Sequence, residues 1–500
     1  MSLSAEAPLL SRIKPLHVLY LISALLVLVI WVPRLHDALF VDEAGSYWII
    51  HDGAAHIIER TFSTQGETPF YYFILAGWTA LFGLSELAMR SLSFLASIGT
   101  MLSLFWLGRL RNSWAYFLAV PILITSRLEV FSAVTARPYA LGIFFAALSI
   151  AAFAEWLRED SKLFLLLSAV SYGFALDCHP TIAPAVFVHL YLLWEYKPSQ
   201  ARLFDLIVPV LLGVLAASPA ISQFFTLTGK VNALSIVTDR PGLGTVVRFF
   251  VSFPMFVAII LGPLILILHK TILRQEPQWH FQGADFALAG VWYVIPKFFI
   301  FFVALVLSPT FFVPRYSLFA SIGEALIIGT FLAAITDRYW RFGLATAVLI
   351  AMGARGVTMQ YPDTAWRPAL QYVEKHGAGH RCTIFALTGF IESKNFDLMK
   401  KEPTASFIRS PLSYYNLDDA VLLPLSVSTQ EEEEYLKEKA FPAIDGKKCA
   451  ILLRWDIGAY DSIPQSGPSL LTAYLKKRNF DLQSEIEFGT VTLFHWEARS

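Results

Sequence analysis

The sequence predicts an all-α polytopic membrane domain followed by a small soluble α/β domain, and three observations carry that expectation. Hydrophobic residues make up 56% of the 500 positions and charged residues only 16%; a soluble globular chain is about 45–50% apolar and about 25% charged. Apolar runs long enough to cross a bilayer, roughly 17–25 residues, recur through the first 360 positions. Beyond residue 360 they stop, and short alternating segments separated by polar turns replace them. A formal net charge of zero leaves no overall electrostatic footprint for nucleic acid. Cys178, Cys382 and Cys449 show neither metal nor disulfide-rich spacing.

The N-terminus, "MSLSAEAPLLSRIKPLHVLY", puts basic residues before a long apolar run without a small-residue cleavage site, so it reads as an uncleaved signal anchor. Spans are expected near 16–33, 87–108, 112–130, 138–157, 161–178, 180–196, 203–225, 246–268, 287–308, 313–335 and 341–356. The run 69–83 is shorter, and its placement sets the topology downstream. If it stays in the interface, the cytoplasmic connections carry Arg12 and Lys14, Arg109 and Arg111, Arg158 and Lys162, Lys197 and Arg202, Lys270 and Arg274, and Arg338 and Arg341. Every one is basic, as the positive-inside rule asks. If 69–83 crossed, the five connections after the N-terminus would all face outside. The expectation is therefore about eleven transmembrane helices, with the N-terminus cytoplasmic and the C-terminal domain extracytoplasmic (periplasmic in a bacterium), in the inner or plasma membrane.

On this topology residues 34–86 form a long outer loop. Its segment 43–60, "EAGSYWIIHDGAAHIIER", is apolar at Tyr47, Ile50, Ala54, Ile57 and Ile58, one face of a helix lying on the membrane. With 69–83 it makes two juxtamembrane helices roofing the bilayer edge, and the adjacent pair Asp42–Glu43 sits at the hinge. Domain bounds follow: 1–360 for the membrane domain and 361–500 for the outer domain. In the latter, "HRCTIFAL", "KKCAILLRW" and "GTVTLFHWEA" read as strands and "EEEE" at 431–434 as a helix start capped by Ser428 or Thr429. Cys382 and Cys449, in two of those strands, can pair in an oxidising compartment.

"VDEA" after the first span, then "ETPFYY", "FGLSELAMR", "TARPYAL" and "PRY" occur in that order. The ordered set resembles the GT-C membrane glycosyltransferases of the protein O-mannosyltransferase and aminoarabinose transferase superfamily. It is most similar to the bacterial branch with lipopolysaccharide galacturonosyl transferases, and the likeness covers about 1–320. "TPFYY" departs from the usual Pro-Pro-Leu-Tyr-Tyr. The resemblance implies a sugar donor linked to a polyprenyl phosphate, inversion at the anomeric carbon, a catalytic acid in the first outer loop and two juxtamembrane helices there. It leaves open a glycolipid, polysaccharide or protein acceptor.

Such a transfer needs a base for the acceptor hydroxyl and cations for the leaving phosphate. The motif acid falls on Asp42, with Glu43 as the second candidate, orienting Asp42 or contacting the sugar. Arg90, matching the arginine of "FGLSELAMR", and Arg137, with Tyr139 beside it, are expected at the donor phosphate, as is Arg315 of "PRY"; each can instead snorkel to headgroups. Lys297 lies near mid-span, where a charge is costly and usually faces a cavity, so it joins the phosphate-binding candidates. Glu67 and His179 could contact substrate or hold a divalent metal ion, against a solvated or structural role; one Glu and one His make no ligand signature. Lys230, Asp239 and Arg240 belong to a 226–245 loop that can close over the lipid carrier.

Two other functions fit the same composition. A transporter or lipid flippase also has many spans, but it often shows internal repeats and broken helices, and its acids are expected mid-span. A glycan ligase would use diphosphate-linked donors.

Overall fold

The computed structural model describes residues 14–63, 68–199, 203–223, 241–256, 282–358, 366–377, 382–394, 396–425, 434–455 and 466–499, with four isolated positions between 260 and 271. The chain opens with α1 (Lys14–Leu35), a 22-residue apolar helix, and continues through α2 (Val41–Ile50), α3 (Ile57–Ser63) and α4 (Pro69–Phe82). The bundle then runs α5 (Glu86–Leu110), α6 (Trp114–Thr125), α7 (Arg127–Ala133), α8 (Tyr139–Glu159), α9 (Lys162–Cys178) and α10 (Val186–Tyr196). It closes with α11 (Ile207–Ala216), α12 (Leu243–Phe250), α13 (Gly283–Val306), α14 (Ala320–Ala334) and α15 (Arg338–Thr358).

Helix occupies each of the eleven expected runs within the described residues, but the spans are less uniform than hydropathy suggests. Among the described residues, four helices, α1, α5, α8 and α13, are long and apolar enough to cross a bilayer by themselves. A fifth span is bent: α6 and α7 meet at 71°, because Ser126 takes an extended conformation between them. α9, at 17 residues, sits at the lower end of span length, and α11 and α14 are shorter. Hydropathy averages over such breaks, so it counts a run without seeing that the helix inside it is interrupted.

Close helix approach replaces hydrophobic drive inside a membrane. α9 and α11 meet at Gly173 and Gly213, where a side chain on Gly173 would strike the Gly213 carbonyl. At the bundle end bearing the basic connections, Arg111 donates to Glu195 (3.0 and 2.9 Å) and to Asp285, and Tyr116 donates to Asp285 at 3.2 Å. This buried network fastens the ends of α5, α6, α10 and α13 together.

The outer loop differs from its expectation in one respect. The single helix foreseen over 43–60 is broken into α2 and α3, because Gly53 adopts a φ of +93° that a side-chain-bearing residue rarely takes. Nor does α2 lie on lipid: Val41, Glu43, Ala44, Gly45, Ser46, Trp48, Ile49 and Ile50 are all buried, which leaves no lipid-facing stripe. α4, by contrast, is a separate short helix ended at Gly83, with Leu81 and Phe82 exposed, as an interfacial element should be.

What covers α2 is the C-terminal domain: α16 (Trp366–Gly377), β1 (Cys382–Leu387), α17 (Thr404–Ser413), β2 (Val421–Leu422), β3 (Cys449–Trp455), α18 (Ser466–Lys477), β4 (Phe480–Phe488) and β5 (Val491–Ala498). The strand order is β2-β1-β3-β5-β4, parallel among β2, β1 and β3 and antiparallel at β3–β5 and β5–β4. All three strands read from sequence are present. The edge strand β4 was not foreseen, since its outward residues are polar and charged. Cys382 and Cys449 sit opposite each other in the β1–β3 register, with Cα atoms 4.4 Å apart, and are joined by a disulfide. Of the "EEEE" run only Glu434, which is helical, is among the described residues; its candidate caps Ser428 and Thr429 lie outside them.

One continuous hydrophobic core joins this domain to the loop, running from Phe385, Phe390 and Phe407 into Trp48, Ile49, Tyr71 and Met89. Phe407 packs edge-on against Trp48 at 5.3 Å and fills the space left by Gly45. Trp48 Nε1 donates to Ser406 Oγ at 3.0 Å, and Leu39 N donates to the Tyr415 hydroxyl at 3.0 Å.

Candidate active site

The N-terminus of α2 carries the paired acids, and its helical geometry sends them apart: successive residues turn by about 100°. Glu43 points inward. Its Oε2 accepts from Phe40 N at 2.8 Å, closing the helix start as a third-position carboxylate does. Its Oε1 accepts from Ala136 N at 2.7 Å and from Arg90 Nε at 2.8 Å, while Arg90 Nη2 reaches Oε2 at 2.6 Å. Arg90 gives its other donors to the carbonyls of Arg34 (2.9 Å), Asp37 (2.6 Å) and Ala38 (2.8 Å). All five guanidinium N–H groups are thereby used, and both side chains are buried.

Two sequence expectations are corrected here. Arg90 is not a phosphate ligand: with every donor engaged, it is the peg around which residues 34–43 fold. Glu43 has no exposed surface for a sugar or a hydroxyl; it fixes α2 against Arg90 and the Ala136 turn.

Asp42 faces the other way, and three connections distant in sequence converge on it. Arg315, in the Pro314–Ser317 turn ahead of α14, brings Nη1 to 3.0 Å from Asp42 Oδ2. Arg137, in the turn between α7 and α8, donates to the Asp42 carbonyl at 3.1 Å. Tyr139, opening α8, lies 5.0 Å ring to ring from His179 at the end of α9, and His179 is 5.7 Å from the Tyr316 ring. The Asp42 and Arg315 side chains keep 14% and 34% exposure, so the carboxylate and its cation stay open to a reactant.

His179 is held by Thr181, whose hydroxyl is 2.7 Å from Nδ1. Burial, with the positive charges of Arg137 and Arg315 adding to it, pushes the imidazole down to about 3. It is therefore neutral at physiological pH. The structure thus gathers Asp42, Arg137, Tyr139, His179 and Arg315, and adds Tyr316, which only its adjacency to Arg315 in "PRY" could have flagged. Arg367 and Tyr415 were missed altogether. Arg367 bonds the His36 carbonyl at 3.1 Å, Tyr415 bonds Leu39 N, and both meet Glu86. They steady the loop from more than 300 residues away, a distance at which no sequence pattern operates.

Lys297 is not in this group. It is buried as expected, but Nζ donates to the Phe249 carbonyl and the Tyr293 hydroxyl, each at 2.8 Å. Glu324 faces it from α14 and accepts from Ser252. A cation near the last turn of α12 is well placed to satisfy terminal carbonyls, so the phosphate role foreseen for Lys297 gives way to this internal network. Glu67, Lys230, Asp239 and Arg240 lie outside the described residues. Among the described residues, the three-residue group spaced for a metal is Cys382, Cys449 and His495, whose cysteines are joined to each other.

A carboxylate paired with one guanidinium, and beside a second, can take a proton while an anion forms nearby. Residues 66–225 match the family model described as dolichyl-phosphate-mannose-protein mannosyltransferase. That stretch contains Arg90, Arg137, Tyr139 and His179. Curated proteins give no match to the chain. Among solved structures, ArnT from Cupriavidus metallidurans in the apo state aligns over 95% of this chain and 97% of its own, with a TM-score of 0.57 and 12% identity. The same protein bound to undecaprenyl phosphate aligns over 96% and 98%, with a TM-score of 0.56 and 11% identity. At such identity the likeness speaks for the fold. The chain thus has the GT-C membrane fold of ArnT, and residues 66–225 carry the pattern of the mannosyltransferase family model.

Proposed function

We propose that the chain transfers a sugar from a polyprenyl-phosphate donor to an acceptor hydroxyl on the non-cytoplasmic face of the inner membrane, inverting the anomeric carbon, with Asp42 as general base. The observation that carries this reading is the part-exposed Asp42 carboxylate 3.0 Å from Arg315, with Arg137 beside it. The similar ArnT structure holds undecaprenyl phosphate, the leaving group such a donor would release.

In the step, the acceptor O–H gives its proton to Asp42, the acceptor oxygen bonds to the anomeric carbon, and the carbon–oxygen bond to phosphate breaks. The leaving polyprenyl phosphate keeps that electron pair. Arginine offers a planar fork to phosphate oxygens, and fixed cations at developing charge lower the barrier; Arg137 and Arg315 take that part. Neutral His179 and the Tyr139 and Tyr316 rings wall the sugar side. The six basic connections supply the orientation.

The test feeds purified protein with polyprenyl-monophosphate sugars and measures released polyprenyl phosphate. Release that Asp42→Asn abolishes supports the reading. Turnover with diphosphate-linked glycans alone would make the chain a ligase instead.

A further inference from the structure

Arg315 has two claimants. Its Nη1 holds the Asp42 carboxylate at 3.0 Å, through one nitrogen rather than the paired fork. Its Nε is buried and has no hydrogen-bond partner among the described residues. A buried donor left unpaired is costly, and guanidinium prefers two parallel bonds to carboxylate or phosphate. The Asp42 main chain does not depend on this pair, because Arg137 holds its carbonyl and the Glu43–Arg90 peg fixes the next residue. The Asp42 side chain can leave Arg315 while the helix stays put.

We propose that the Asp42–Arg315 pair is a latch opened by the donor: the donor phosphate takes the Arg315 fork, and Asp42, released, becomes able to accept the proton of the acceptor hydroxyl. This rests on the polyprenyl-phosphate reading above and adds an order to it, donor before acceptor. The exposure of both side chains keeps the pair weak enough to exchange, since part-exposed ion pairs contribute little. The donor's phosphodiester, with two free oxygens sharing one negative charge, can accept both parallel bonds of the Arg315 fork, which makes it the stronger partner.

The experiment is a double-mutant cycle on binding of undecaprenyl phosphate to the full-length protein in detergent, read by the ligand-induced shift in thermal unfolding. Asp42→Asn should bind about fivefold tighter than the wild type, the size expected for removing a weak competing pair. Arg315→Gln should bind at least tenfold weaker. In the Arg315→Gln background, adding Asp42→Asn should change affinity less than twofold. Arg315→Lys, which keeps the charge and loses the fork, should fall between wild type and Arg315→Gln, and it tests the same point if Arg315→Gln folds poorly.

An equal gain from Asp42→Asn with and without Arg315 would make the effect a general loss of negative charge and overturn the latch alone. Phosphatidic acid, the same headgroup chemistry on an ordinary lipid, is measured beside it. Equal binding of both would make Arg315 a general lipid contact and overturn the proposal. Absence of binding in all variants, wild type included, would remove the donor class itself.

Discussion

Arg90 Nε lies 2.8 Å from Glu43 Oε1 in a site closed to solvent, and the preceding residue of the chain, Asp42, is part-exposed and faces Arg315. Two adjacent carboxylates thus have opposite tasks. Breaking a buried pair strands a charge and costs about 3–5 kcal/mol, whereas a part-exposed pair contributes about 0–1 kcal/mol. Glu43→Gln should therefore lower the unfolding temperature strongly, and Asp42→Asn should leave it nearly unchanged. Thermal unfolding of both variants in one detergent checks this; the reverse ranking would show that the acids had been assigned the wrong way round.

Asp42→Asn should nonetheless cost activity. A positioned general base contributes about 10²–10⁴-fold, so release of polyprenyl phosphate should fall by at least about a hundredfold in a folded protein. Arg137→Gln should also slow release, by removing a cation at the leaving group.

His179 predicts a pH effect on stability. Its folded-state pKa, about 3, lies below the ordinary value of roughly 6.5. Between those values the unfolded chain binds a proton that the folded chain does not, so stability falls as pH drops from 6.5 towards 3. Above 6.5 the group is neutral in both states and contributes no slope. At pH 4.5 the loss should be about 2–3 kcal/mol, and His179→Gln should flatten that part of the curve. Unfolding temperatures at pH 7 and pH 4.5 for both proteins decide the matter.

Gly45 sits on α2 under the Phe407 ring; a Cβ there would lie 2.9 Å from Phe407 Cε2. Overpacking of this kind costs about 1–3 kcal/mol. Gly45→Leu should loosen the C-terminal domain from the loop and reduce turnover, although residue 45 touches no proposed reactant. Faster proteolytic release of the C-terminal domain, alongside lower activity, is the expected pair of results.

The orientation has its own check. A reporter fused after residue 110 should be cytoplasmic and one fused after residue 360 exported; the opposite pattern would invert the membrane assignment.

Much of this was legible in the sequence because it is local or periodic. Hydropathy located the helices, charge asymmetry gathered the basic connections, and ordered short motifs flagged Asp42, Arg137 and Arg315. The task of Arg90 was not legible. An arginine with five backbone and carboxylate partners looks the same in sequence as one awaiting phosphate, and the carbonyls of residues 34, 37 and 38 leave no signature. The burial of α2 escaped for a related reason. Its apolar residues read as a lipid-facing stripe, and the Phe407 side chain that covers them is more than 350 positions away.

That separation sets a timetable for biogenesis. Asp42 is made long before residues 366–498, yet those residues build the surface that seats its helix. A nascent or truncated polypeptide carries the proposed base without its support. Competence should therefore arrive only when residues 366–498 have folded onto the loop, so that formation of this domain licenses the chemistry.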